Sequence, residues 1–298
     1  MHITLRQLEI FRAVAQSGRV TAAAEALHIS QPAASMALSE LEKHLGPLFD
    51  RHQGACLSLN DSGRALLSKA CEMMDRALEI EQQFSRDACY QEGSLIINSS
   101  STVGNNLMPA IIGEFTDINP GISVDLKVDN TRQIEQRLLG FEIDMAVVEG
   151  ICLHPDIEVK TWRSDELVIV CHPSHPLANK DDVSLNELAD DPWLLRESGS
   201  GTREVFDEVI ATRLGEPKVK MVLNRAEAIK QAAADGQGIA CLSRLAVWRA
   251  LRKNDLATIN VKDLALKRHF YLIMHKHKYR SGVIKKFSEF ILSYKNHR

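Results

Sequence analysis

Apolar positions in the first sixty residues recur with helical spacing. Leu5, Leu8, Phe11, Val14 and Ala15 form one stripe, and Gly18 ends it, which predicts a short amphipathic helix. A second, Ala-rich segment runs from Arg19 to Leu27, and after His28-Ile29-Ser30 a third helix is predicted from Gln31 to Leu45. Ser30 suits an N-cap, because its hydroxyl can satisfy a free N–H of the first turn, and Pro32 in that turn loses no needed donor. Leu38, Leu41 and Leu45 predict a buried stripe, whereas Ala33, Ala34 and Ala37 leave a face small enough to approach another molecule. Leu48 to Arg51, a polar stretch from His52 to Ala55 and Leu57-Ser58-Leu59 then read as a two-stranded wing. A helix-turn-helix lays its second helix in a DNA major groove, so Gln31, Ser35, Met36 and Ser39 are candidates for base edges and phosphates. Arg51, at the base of the wing, is placed to meet a phosphate.

From Asn60, a second N-cap candidate, the chain runs without Pro or Gly from Arg64 to about Tyr90, predicting one long helix. Leu66, Ala70, Met73, Ala77, Ile80 and Phe84 alternate spacings of four and three, the seam of a two-stranded coiled coil and hence of a homodimer. The competing reading packs this stripe on the protein's own core. Paired helices would hold two heads at a fixed separation, matching a DNA site of two-fold character.

Beyond Gly93 the pattern changes to alternating strands and helices. Strands at Leu95–Ile97, Ile122–Val128 and Met145–Val148 alternate with helices at Val103–Thr116 and Thr131–Leu139. A second set has strands at Leu167–Cys171, Trp193–Leu195, Lys218–Leu223 and Ile239–Leu242, with helices near Leu185 and from Thr202 and Ala226. His269–Met274 and a last helix, Val283–Tyr294, return to the first set. The reading is therefore a head at 1–60, a dimerising linker helix at 61–92 and two α/β lobes, one of 93–163 with 267–298 and one of 164–266. Ligands of such sheets sit at strand C-terminal ends, where helix N-termini offer free N–H groups to anions. Ser100, Ser101 and Thr102 follow the first strand, and Glu197, Ser198, Ser200, Gly201, Thr202 and Arg203 follow the strand that ends at Arg196. Arg196 and Arg203 can add charge-assisted bonds to an oxyanion; Glu149, at the end of the third strand, opposes one unless it pairs with either arginine.

Composition fits a packed protein: of 298 residues, 45% are hydrophobic and 25% charged. The net charge of −3 argues mildly against a phosphate-rich partner until it is divided along the chain. Residues 1–66 hold six Lys/Arg and six Asp/Glu, and residues 67–92 hold three basic and six acidic, so the excess acid lies outside the head. With few basic contacts per head, operator affinity calls for a multimer. Met1 to Val20 has no apolar core of a secretory signal and no run suffices for a membrane span, which predicts a cytoplasmic protein. Six dispersed Cys without C-x-x-C suggest neither disulfides nor a structural metal, and Cys171-His172 with His175 reads as surface. The context of Ser200 lacks a nucleophile elbow and no dinucleotide or phosphate loop is complete, so neither catalytic residues nor a cofactor are assigned. Residues 264–298 carry nine Lys/Arg against Glu289 alone, read as a solvated face.

The stretch LRQLEIFRAVAQSGRVTAAAEALHISQPAASMALSELEKHLGPLFDR resembles the LysR-type transcriptional regulators, with T-x-A-A, SQPA, LE and LFDR in order. That resemblance implies DNA contacts at Thr21, Gln31, Pro32, Ser35 and Arg51, and a linker helix where the coiled-coil seam lies. Met36, where many members carry Arg or Lys, and Ala34, in place of a bulkier residue, depart from the family pattern. The later part resembles the type 2 periplasmic binding-protein fold. SSSTVGN, AVVEG, LRESGSGTRE and NRAEAIKQAAADGQGIACLSR resemble the family branch concerned with sulfur and cysteine metabolism, its YeiE-like members in particular. The expected protein is an α/β regulator with an all-α winged helix-turn-helix head, binding double-stranded promoter DNA as a homodimer or homotetramer, with RNA polymerase as a further partner. A small anionic effector, a sulfur oxyanion such as sulfite or sulfate, would control it. The alternative is a cytosolic small-molecule binding protein or an enzyme; removing residues 1–60 separates the two, since only a regulator would lose DNA binding.

Overall fold

The computed structural model describes residues 2–52, 56–83, 93–150 and 152–294. The head consists of α1 (Leu5–Ser17), α2 (Val20–Ala26) and α3 (Gln31–Leu45), followed by the antiparallel wing strands β1 (Phe49–Arg51) and β2 (Leu57–Leu59). Gly18 closes α1 at φ +68°, a left-handed conformation that glycine adopts without penalty. Ser30 caps α3 by accepting the Ala33 N–H. Leu8, Phe11, Val14, Ala34, Leu38 and Leu41 form one buried core. Leu45 does not join it: as the last residue of α3 it projects beyond the core and is exposed.

Asn60 accepts the Gly63 N–H at 2.8 Å and opens α4 (Asp61–Gln83), the connecting helix. Its apolar row divides between two environments. Ala70 is fully buried in the head's own core, with Leu66 packed against the same cluster, so these two belong to the head and not to an intersubunit seam. The reason is geometric: the first turns of α4 lie against α1, which covers that face. Met73 and Ile80 are exposed, Ala77 is half-buried, and Phe84 lies outside the described residues.

The remaining chain builds one nine-stranded sheet with main-path order β4-β3-β5-β11-β6-β9-β7-β8. Its first half contains β3 (Gly93–Ser100), β4 (Ile122–Asp129), β5 (Met145–Val148) and β11 (Lys267–His275). Its second contains β7 (Trp193–Arg196), β8 (Val219–Leu223), β9 (Ile239–Ser243) and β10 (Ala257–Ile259). The long strand β6 (Ile157–Cys171) belongs to both, pairing with β11 up to Glu166 and with β9 from Leu167. β3 runs parallel to β4 and β5, and β7 parallel to β8 and β9.

Helices cover both faces of each half, which therefore keeps two buried layers. In the first, Leu95, Ile97, Phe115, Phe270 and Phe287 fill one layer and Ile134, Leu138, Val148 and Ile273 the other. Its helices are α5 (Ser101–Asn106), α6 (Met108–Ile118), α7 (Thr131–Leu139) and α12 (Gly282–Ser293). The single helix predicted over 103–116 is two, because Pro109 in the first turn of α6 has no N–H for a continuous ladder. The second half has α8 (Gly201–Val205), a π-helical stretch Phe206–Ala211, α9 (Thr212–Leu214), α10 (Ala226–Ala234) and α11 (Arg244–Lys253). Neither α11 nor β10 is predicted by the periodicity.

Phe141 leaves the first lobe to pack in the head's core and stacks on His275, ring centroids 4.1 Å apart. Burial pushes the His275 imidazole pKa down to about 4 from its ordinary 6.5, and Asp156 only partly opposes it. Between these values the unfolded chain binds a proton that the folded chain refuses, so stability falls as pH drops through that window. The loss of melting temperature between about pH 7 and pH 5 is therefore expected to be smaller in His275→Gln than in wild type, measured by thermal melts across that range.

Candidate functional site

Two surfaces carry the chemistry. On the head, Gln31, Pro32, Ser35, Met36 and Ser39 all stand exposed on α3, with Met36 the most prominent at 70%. Thr21 on α2 and Arg51 on the wing are exposed as well. Short helices packed through alanines leave this face without bulky neighbours.

The second site lies where the two lobes meet. β3, β5 and β7 end there, and each hands the chain to a helix or tight turn carrying small hydroxyl residues. Ser100, Thr102 and Thr202 converge on the Glu149 carboxylate: the Ser100 hydroxyl donates to it, Thr102 donates at 2.8 Å and Thr202 at 3.5 Å. Arg268, from the start of β11, faces the same carboxylate at 3.7 Å and donates to Thr202 Oγ1 at 3.0 Å and Thr102 Oγ1 at 3.4 Å. Its Nε donates to Asp165 on β6 at 2.7 Å, and Asp165 also accepts the Ser243 hydroxyl at 2.8 Å. All of these residues are buried. Two carboxylates thus share one guanidinium, with hydroxyls satisfying the remaining oxygens, the condition for tolerating charge in an interior.

The expected partners of Glu149 are consequently corrected. Arg196 is not one of them: it holds Glu197 through bonds of 2.8 and 3.0 Å. Burial opposes ionisation of Glu197, but Arg196, helped by Asn130, overcomes that and keeps its pKa below the usual carboxylate value. Arg203 donates to Asp207 and to the Arg196 carbonyl. The C-terminal basic excess, read as a solvated face, includes Arg268 in this cluster and a buried Lys278, because β11 and the turn after it run through the interior. Ser101, Ser200 and Gly201 are buried beside the cluster, whereas Ser198 faces solvent. Gly201 has to be glycine here, since a Cβ would lie 2.7 Å from the Gly150 nitrogen of the facing lobe.

Next to this ionic centre lies a polar cavity of about 260 Å³. Ser101, Asn130 and Gln133 line it from one lobe, and Arg196, Asn224 and Arg225 from the other. Arg225 follows the end of β8, so the strand-end rule extended to that strand would have found it. Arg268 and Asp165 gave no such signal, being mid-chain charges on strands. Cys71, Cys152, Cys171 and Cys241 are buried free thiols, and burial pushes them up to about 11, 12, 11 and 12. Among the described residues no cluster suited to a metal ion occurs, and no helix is long and apolar enough to cross a membrane.

A winged reader joined through a helix to a two-lobed binding domain defines a ligand-responsive DNA-binding regulator. Residues 5–64 match the bacterial regulatory helix-turn-helix proteins of the lysR family, and residues 90–295 match the LysR substrate binding domain. The chain belongs to the LysR family of transcriptional regulators, and it is a regulator, not an enzyme. It is 40% identical to the HTH-type transcriptional regulator YeiE of Escherichia coli strain K12, over 97% of both chains. It is 33% identical to the RuBisCO operon transcriptional regulator of Allochromatium vinosum, over 98% of this chain and 97% of that one. Identity to CysL of Bacillus subtilis strain 168 is 27%, over 88% and 87%. Among solved structures, a single-site variant of full-length OxyR from Pseudomonas aeruginosa superposes with a TM-score of 0.72 at 20% identity, covering 98% of this chain and 95% of that one. The CcmR regulatory domain of Synechocystis PCC6803 in complex with 2-PG gives 0.64 at 29% identity, covering 68% and 97%.

Arg268→Met would leave Glu149 and Asp165 buried without a cation. A loss of about 3–5 kcal/mol is expected in urea denaturation, and wild-type stability in that variant would show that the cluster is not held by its arginine.

Proposed function

We propose that this regulator controls promoter binding in response to a small oxyanion of sulfur, sulfite or sulfate, held between the lobes. The observation that carries the reading is the polar interlobe cavity, where Arg196 and Arg225 face Ser101 and Asn130 across a space suited to a small tetrahedral or pyramidal anion. The Glu149–Arg268–Asp165 cluster beside it is net negative, so the anion would sit at the arginine side of the cleft and not on Glu149. Ser100, Thr102 and Thr202 are engaged by that cluster and act on the ligand through it. The likeness to CysL supports a sulfur-linked role, and the CcmR domain with 2-PG supports a small-molecule ligand at this fold. Ligand binding shifts the angle between the lobes and thereby the spacing of the DNA heads.

In this reading α3 contacts bases through Gln31 and Ser35, with Met36 supplying an apolar contact, and Thr21, Pro32, Ser39 and Arg51 position it on the duplex. The protein works in the cytoplasm as a homodimer or homotetramer, α4 pairing through Met73, Ala77 and Ile80. RNA polymerase is its further partner at the promoter.

Calorimetry of the full-length protein with sulfite, sulfate and thiosulfate tests the ligand. Heat is expected from at least one, reduced about tenfold or more in affinity by Arg196→Met, which removes a charge-assisted bond. No heat from any of the three, with no change in promoter binding, overturns the sulfur assignment. Gln31→Ala is expected to weaken specific DNA binding by about 1–3 kcal/mol, the range for one good base contact; an unchanged gel-shift affinity would remove Gln31 from the reading set.

A further inference from the structure

The antiparallel pair β5–β11 carries an ionic contact at each end. At one end Glu149, following β5, faces Arg268 on β11 in the interlobe cleft. At the other, Asp144, preceding β5, meets Lys278, just beyond β11, at 3.0 Å. Lys278 also reaches Asp75 on α4 at 3.1 Å, and its side chain is 8% exposed. One buried ammonium thus ties the sheet to the connecting helix. Asp144 is itself fixed to β3, accepting the Ile96 N–H at 2.7 Å.

Two neighbouring contacts strengthen the junction. Tyr279 donates its hydroxyl to Glu79 while the Arg76 guanidinium lies 4.8 Å over its ring, joining the next turn of α4. Phe141, seated in the head's core, stacks on His275 at the end of β11. Burial raises the Asp75 pKa, and at Lys278 burial is outweighed by Asp144 and Asp75, so the ammonium form is held.

Between the two ends, Ala146, Val147 and Val148 pair with Ile273, Leu272 and Tyr271, and all but Tyr271 are buried. From Asp144 to Glu149 the span is about 17 Å at ~3.3 Å per residue. A close-packed strand pair of this kind deforms little, so a displacement at one end is carried to the other.

We propose that the β5–β11 pair is the coupling element of this regulator: the state of the Glu149–Arg268 cluster in the cleft is passed along it to α4, with Lys278 as the pin between Asp144 and Asp75. The coupling is internal to each chain and requires no particular effector, so it stands or falls separately from the sulfur assignment.

A double-mutant cycle in the full-length protein tests it. The trigger is Glu149→Gln, which removes the cleft charge but keeps acceptor capacity. The pin is released by Asp75→Asn, which leaves Lys278 neutralised by Asp144 and so preserves the buried pair; Lys278→Met is the second, more drastic release. The probe is a duplex selected from a random-sequence library by the wild-type protein, and the readout is its Kd. Glu149→Gln is expected to change that Kd by about fivefold or more in the wild-type background, the lower end of allosteric coupling, and by less than about twofold with Asp75→Asn or Lys278→Met present. The same fold-change in all backgrounds would overturn the proposal, as would a Kd unmoved by Glu149→Gln in the wild type. Thermal melts of each variant establish that a lost effect is not lost folding.

Discussion

A single guanidinium holds the two lobes in register. Arg268 sits on a strand shared by the sheet and reaches carboxylates that arrive from different directions, Glu149 from β5 and Asp165 from β6, with Thr102 and Thr202 supplied by opposite lobes. In water such contacts would be worth little; buried, they are demanding, because removing any member leaves a charge without compensation. The stacking of α8 on the Glu149–Gly150 turn, the need for glycine at 201 and the shape of the neighbouring cavity all follow from keeping this cluster closed.

The cluster also explains why the cleft has an acidic and a basic side. Arg196 is neutralised by Glu197 at the cavity wall, yet both stay partly accessible to a ligand, while Glu149 and Asp165 are shielded behind Arg268. An incoming anion therefore meets oriented amides and guanidinium groups before it meets carboxylates. Preformed donors of this kind limit the ordering cost of binding.

The head is legible in the sequence because local rules determine it. Ser30, Pro32, Gly18 and Asn60 each fix an element boundary through capping chemistry, and the structure uses all four in the expected way. The alternation of strands and helices after Gly93 is legible for the same reason. What local pattern does not encode is which side of a stripe faces a distant partner. Leu45 and Ala70 both continue apolar rows, but the first overshoots the core and the second is covered by α1. Arg268 and Lys278 lie in a basic run that reads as surface, and only the path of β11 through the interior, set by strand pairing far away in sequence, makes them buried ions. The strand-end serines announce themselves by position, and their true counter-charge does not.

The thiols bear on the chemistry this molecule can survive. With pKa values raised to about 11 and 12, the buried cysteines hold only a minute fraction of thiolate near neutrality, and the thiolate is the species that oxidants and electrophiles attack. These four cysteines are free, so they offer no S–S bond for a nucleophilic or reducing solute to cleave. The packing that excludes water from these side chains thus also makes them chemically silent, and a fold sharing a reader-and-lobes plan with OxyR can report on a reactive solute by shape and charge without being modified by it.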